Sequence, residues 1–124
     1  MGPKRKILVA DDADTFRHLE AAQLKVLGHE VLQAKNGAEA LKIALEARPD
    51  LILLDVQMPV MDGMQVLAFL KKDERTSHIP IVVITTIGRS KDEEIIKKGG
   101  ADAFLTKPLQ AGVLVDTVRR LLPS

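Results

Sequence analysis

Short apolar runs alternate strictly with longer stretches of helical period along this chain, five times over. The runs are Ile7–Ala10, Glu30–Ala34, Leu51–Asp55, Ile81–Thr85 and Ala103–Thr106. Leu51–Leu54 and Ile81–Ile84 are apolar at every position, so strands formed there need cover on both faces. Between the runs the period changes. Phe16, Leu19, Val26 and Leu27 fall on one helical face, and Gly28 supplies the stop. Asn36 with Glu39 three residues on reads as an N-cap and its capping-box partner. Ala40, Leu41, Ala44 and Leu45 follow as a buried stripe, and Pro49 marks the end. Met64, Leu67, Phe69 and Leu70 mark a third helix. Asp92–Lys98 makes a short polar fourth, ended by Gly99-Gly100, and Leu114, Val118, Leu121 and Leu122 carry a fifth. Strict alternation of this kind predicts an α/β fold: a doubly wound, five-stranded parallel sheet with right-handed crossovers.

The chain has 124 residues, enough for one domain, read here as 1–124. The fifth helix is expected to use up these 124 residues at Pro123-Ser124 with no output domain among them, as for a stand-alone domain or one excised from a longer chain. With 46% hydrophobic and 28% charged residues, the balance is that of a folded protein and not a disordered one. Eighteen basic against seventeen acidic residues give a formal charge of +1, so nothing electrostatic points to nucleic acid or an anionic membrane. Cysteine is absent, which excludes disulfides, thiolate metal sites and a cysteine nucleophile. No apolar run is long enough for a bilayer, and the basic start leads straight into Ile7 with no signal-peptide core. The expectation is a cytoplasmic domain without membrane insertion.

In a parallel sheet of this type, ligands bind beyond the carboxyl ends of the strands, at the switch point in strand order. The polar residues at those ends are Asp11 and Asp12, Asp55, Thr85 and Thr86, and Lys107-Pro108. A strand order of 2-1-3-4-5 brings the ends of strands one, three, four and five together. Three carboxylates in one crevice repel each other, and one lysine does not neutralise them. A divalent cation does, and an all-oxygen site favours Mg²⁺, Mn²⁺ or Ca²⁺ over zinc. With a cation present, a carboxylate can act as a nucleophile toward phosphorus. Lys107 and the Thr85 hydroxyl can then hold the phosphoryl oxygens.

Over essentially its full length the sequence resembles the receiver domain of two-component response regulators. The resemblance rests on Asp11-Asp12, on Asp55 within Leu53-Leu-Asp-Val-Gln-Met-Pro-Val-Met-Asp-Gly63, on Thr85 and on Lys107-Pro108. It implies a (βα)5 flavodoxin-like fold with Asp55 as phosphoacceptor. It further implies Mg²⁺ held by Asp12, Asp55 and the main-chain carbonyl of Gln57, with Asp11 assisting through water. Thr85 and Lys107 would read the phosphoryl group, and the Lys107–Pro108 peptide would be cis. Phe104 would be the rotating aromatic on an output face formed by the fourth helix, fifth strand and fifth helix. The implied partners are a sensor histidine kinase or phosphotransfer protein and a downstream effector protein.

Taken singly, these residues have ordinary readings. Asp11-Asp12 can cap a helix, Thr85 suits a strand, Lys107 suits a surface and Phe104 suits a core. Only Asp55, ending an apolar strand, is costly without a partner. Departures from the usual receiver pattern also inform. Thr86 is bulkier than the common small residue, Ile87 replaces a polar one, Val56 stands where chemotaxis members have tryptophan, and Phe104 lacks a tyrosine hydroxyl. Thr86 and Ile87 argue for a slow loss of the phosphoryl group, whereas the Gln57 amide argues the other way by positioning water. Ala103 interrupts an Asp-Asp pair common in dimerising members, so a monomer at rest is expected. Self-catalysed phosphotransfer and dephosphorylation would be its only chemistry. The rivals are a phosphorylation-independent scaffold on the same fold, which usually lacks one of the five residues, and a haloacid-dehalogenase-type phosphatase. The phosphatase needs an acid–base Asp two residues after the nucleophile, where this chain has Gln57.

Overall fold

A computed structural model describes residues 4–86, 92–110 and 112–122. Strands β1 (Lys6–Ala10), β2 (Glu30–Ala34), β3 (Leu51–Asp55), β4 (Ile81–Thr86) and β5 (Ala103–Lys107) alternate with helices α1 (Asp14–Val26), α2 (Gly37–Ala47), α3 (Gly63–Lys72), α4 (Asp92–Lys98) and α5 (Val113–Leu121). All strand pairs are parallel, in the order β2-β1-β3-β4-β5. Strand limits agree with the sequence to within one residue. β1 starts one residue earlier at Lys6, and β4 and β5 each run one residue further.

Alternate strand residues feed two cores. Leu8, Ile52, Leu54, Ile81 and Val83 pack with Ala40 and Ala44 of α2, Val66, Leu67 and Leu70 of α3, and Ile96 of α4. Ile7, Val9, Leu51, Leu53, Val82 and Ile84 pack with Leu24 of α1 and with Leu114 and Val118 of α5. This is why β3 and β4 are apolar throughout: their odd and even positions face different helices. Each such leucine or isoleucine is worth about 1.5–3 kcal/mol relative to exposure.

Helix ends follow local chemistry. Asn36 Oδ1 accepts from the Glu39 N–H at 2.8 Å, as an N-cap should. The Glu39 carboxylate returns to the Lys35 N–H at 3.1 Å, one residue before the capping-box target. α1 stops at Val26, and Gly28 takes the left-handed conformation at φ +93° with its N–H on the Lys25 carbonyl.

The face of α1 differs from expectation. Leu19 and Val26 are 55% and 85% exposed, and the buried residues are Arg17, Glu20, Ala21 and Leu24. Phe69 of α3 also points outward, while Leu67 and Leu70 are buried. In α1 the Arg17 guanidinium takes the inner face, where the Asp11 carbonyl just after β1 and Gln33 of β2 accept from it, and Glu20 is buried on the same face. Among the described residues no helix is long and apolar enough to cross a membrane.

Candidate functional site

β1 delivers Asp11 and Asp12, β3 ends on Asp55, β4 carries Thr85 and β5 ends on Lys107, all at the carboxyl edge of the sheet. Asp11, Asp55, Thr85 and Lys107 are buried, and Asp12 is exposed. Gly63 allows this packing. A Cβ built there would lie 2.2 Å from the Asp55 carbonyl oxygen, so the start of α3 can pass beneath Asp55 only without a side chain. Its N–H donates to the Val56 carbonyl at 2.9 Å, and Asp62 caps the helix in a reciprocal box with Gln65.

The Lys107 ammonium is the hub. Nζ donates to Asp55 Oδ2 at 3.0 Å and lies 2.8 Å from Asp11 Oδ2, and it sits 4.5 Å from the centroid of the Phe16 ring. The contact to Asp11 is a buried ion pair as short as the one to Asp55. The other Asp11 oxygen accepts from the Ala13 N–H at 2.9 Å, and Asp55 Oδ1 accepts from the Gln57 N–H at 3.2 Å. The Lys107–Pro108 peptide is cis.

Burial pushes the Asp55 carboxyl up to about 6; the Lys107 hydrogen bond opposes this and the Asp11 charge adds to it. Burial pulls the Lys107 ammonium down, but Asp11 and Asp55 together outweigh it and hold its pKa above the ordinary value. At neutral pH Asp55 is therefore predominantly a carboxylate.

One oxygen from each of Asp11, Asp12 and Asp55 lies within 4.8 Å of the others. Oxygens this close can converge on one hard cation, and the donor set is wholly oxygen. The buried hydroxyl of Thr85 has no hydrogen-bond partner among the described residues. An unsatisfied buried donor beside an acidic crevice is an invitation to a further oxygen ligand. Phe104 is half-buried against the α2–α3–α4 core. Thr86 is exposed at the end of β4, Gln57 is exposed beside Asp55, and Ile87 lies outside the described residues.

Sequence reasoning missed two buried charged groups next to this crevice. Glu20 is buried with one carboxylate oxygen unpartnered, and burial, then the Asp11 charge, raises its pKa to about 8. Arg17 is buried as well, with Nη1 on the Asp11 main-chain carbonyl. Their spacing with Ala21 and Leu24 is helical, a signal that an apolar-only count passes over.

The family model for the response regulator receiver domain matches residues 7–119. The polar-differentiation response regulator DivK of Brucella anthropi is 34% identical over 118 residues, which cover 95% of this chain and 96% of that protein. Chemotaxis protein CheY4 of Vibrio cholerae superposes with a TM-score of 0.90 at 33% identity, covering 97% of this chain and 100% of the other. The receiver domain of sensor histidine kinase PA1611 from Pseudomonas aeruginosa, solved with a magnesium ion in its active-site cleft, gives a TM-score of 0.89 at 27% identity over 98% and 100% of the two chains. With strand order, crevice and sequence all in agreement, the chain belongs to the receiver domain family of two-component response regulators.

Proposed function

We propose that the chain, as a single receiver domain over 1–124, is switched by phosphorylation of Asp55. The observation that carries this is the buried Asp55 carboxylate held by Lys107, beside the unpartnered Thr85 hydroxyl. An Asp55 oxygen attacks the phosphorus of a phosphohistidine on a histidine kinase or phosphotransfer protein. The P–N bond breaks, the imidazole leaves with the electron pair and takes up a proton, and an acyl phosphate forms. Asp11, Asp12, Asp55 and the Gln57 carbonyl would hold Mg²⁺, or Mn²⁺ in its place. When bound, the ion neutralises the converging negative charge. Lys107 keeps the attacking carboxylate oriented before transfer and is placed to donate to a phosphoryl oxygen after it.

The added charge would draw the Thr85 hydroxyl inward and leave space for Phe104 to turn toward the core. The α4–β5–α5 face is then the surface read by an effector protein, with the chain a monomer at rest. Thr86 and Ile87 would slow hydrolysis of the acyl phosphate by crowding the approach of water, and Gln57 would assist it. A cytoplasmic setting suits a partner of this kind. The domain would carry no catalysis beyond its own phosphorylation and dephosphorylation.

The test is mass spectrometry after incubation with acetyl phosphate. A phosphoryl adduct is expected with Mg²⁺ and not in EDTA, and Asp55→Asn abolishes it. An adduct that survives Asp55→Asn overturns the assignment. Failure of the wild type to label under any condition would favour the phosphorylation-independent scaffold.

A further inference from the structure

Ala13 is the N-cap residue of α1 and has no side chain with which to cap it. The loop that carries Asp11 and Asp12 is held to the helix start by Asp11 Oδ1 on the Ala13 N–H, without a side-chain cap on the first turn. Arg17, one turn into α1, reaches back instead. Its Nη1 donates to the Asp11 main-chain carbonyl at 3.0 Å, and its Nε donates to Gln33 Oε1 of β2 at 3.1 Å. Its Nη2 pairs with exposed Asp14, with His18 Nε2 3.4 Å away. The guanidinium is buried, and a planar fork with two donors fixed on different elements has one orientation.

We propose that Arg17 is a positioning residue for the acidic crevice. By gripping the Asp11 carbonyl it sets where the Asp11 and Asp12 carboxylates stand, and Gln33 sets the guanidinium. The outer strand β2, which supplies none of the crevice residues, thereby contributes to its geometry. This rests on the reading of the crevice as a cation and phosphoryl site.

Outer partners of a metal site typically change affinity by about 10–100-fold when removed. Magnesium binding is measured by isothermal titration calorimetry on the whole chain, well below the unfolding midpoints determined in EDTA. Arg17→Met is expected to weaken binding about tenfold or more. Arg17→Lys, which keeps the charge and one donor, recovers part of that loss. Gln33→Met, which frees the guanidinium without removing it, weakens binding about threefold, by a fraction of the same effect. Labelling of Asp55 by acetyl phosphate in Arg17→Met recovers toward the wild-type rate as Mg²⁺ is raised, an affinity effect that general loosening of the fold would not show.

Wild-type affinity in folded Arg17→Met overturns the inference. If that variant does not fold, Gln33→Met decides it alone, and unchanged affinity there sinks it. A wild type that neither binds Mg²⁺ nor labels Asp55 overturns the reading of the crevice and this inference with it. A wild type that does both while every variant matches it overturns the inference only.

Discussion

Glu20 is the residue whose chemistry is least expected from its place. A carboxylate buried without a full set of partners is costly, and it answers by keeping its proton. Its pKa of about 8 lies well above the ordinary 4.5, so the folded chain holds a proton that the unfolded chain releases. Stability therefore falls as pH rises from about 4.5 to about 8, by at most about 1.4 kcal/mol per pH unit from this group. Asp55, raised to about 6, acts in the same direction over the lower part of that window. Lys107 acts only above its ordinary 10.5, where the stability it contributes is lost as its raised pKa is passed. Urea unfolding in EDTA between pH 5 and pH 8 should show the decline in wild type and a much flatter profile in Glu20→Gln. A profile that is equally steep in both would contradict it. Val60 offers a second test at this scale. It is 81% exposed with φ +70°, a left-handed backbone that costs a β-branched residue about 1–2 kcal/mol. Val60→Asn should raise the unfolding midpoint by a few degrees, and a lower midpoint would contradict the strain.

At the scale of elements, β3 and β4 were legible because coverage on both faces leaves Leu51–Leu54 and Ile81–Ile84 without a polar position. Leu51–Leu54 could be little else. The crevice was legible for a related reason: topology alone sends Asp11, Asp55 and Lys107 to one edge. The inner face of α1 was not. Its orientation is decided by Arg17 meeting the Asp11 carbonyl and Gln33, partners that exist only after β1 and β2 have paired. Leu19 and Val26 give way and face outward. Local pattern reads burial of apolar groups well and burial of satisfied charges poorly. The join of β3 to α3 depends on Gly63, whose absent Cβ clears the Asp55 carbonyl. Gly63→Ala forces backbone apart and should cost about 1–3 kcal/mol, more than an overpacked side chain that can rotate away. It should also slow Asp55 labelling by acetyl phosphate. Wild-type stability together with wild-type labelling would show that the close approach is not required.

Across the whole molecule, the crevice joins chain segments that are far apart in sequence. Asp11, Asp55 and Lys107 lie at the ends of three strands, and Asp55 parts from the Asp11-Asp12 pair once the sheet is lost. A cation that needs these carboxylates at once binds the folded chain and not the unfolded one, so its binding free energy adds to stability. Each tenfold rise in Mg²⁺ above its dissociation constant should then add about 1.4 kcal/mol to the unfolding free energy. Asp12 is the informative position to remove. It is exposed and makes none of the crevice's buried contacts, so Asp12→Ala should leave the midpoint in EDTA close to wild type. The same variant should show a much smaller rise with Mg²⁺, because one of three convergent carboxylates is gone. Unfolding followed by far-ultraviolet circular dichroism suits the chain, which has neither tryptophan nor tyrosine to report by fluorescence. Sodium chloride at matched ionic strength separates specific binding from screening. A midpoint indifferent to Mg²⁺ in wild type, or raised equally in Asp12→Ala, would mean that the three carboxylates do not act as one site.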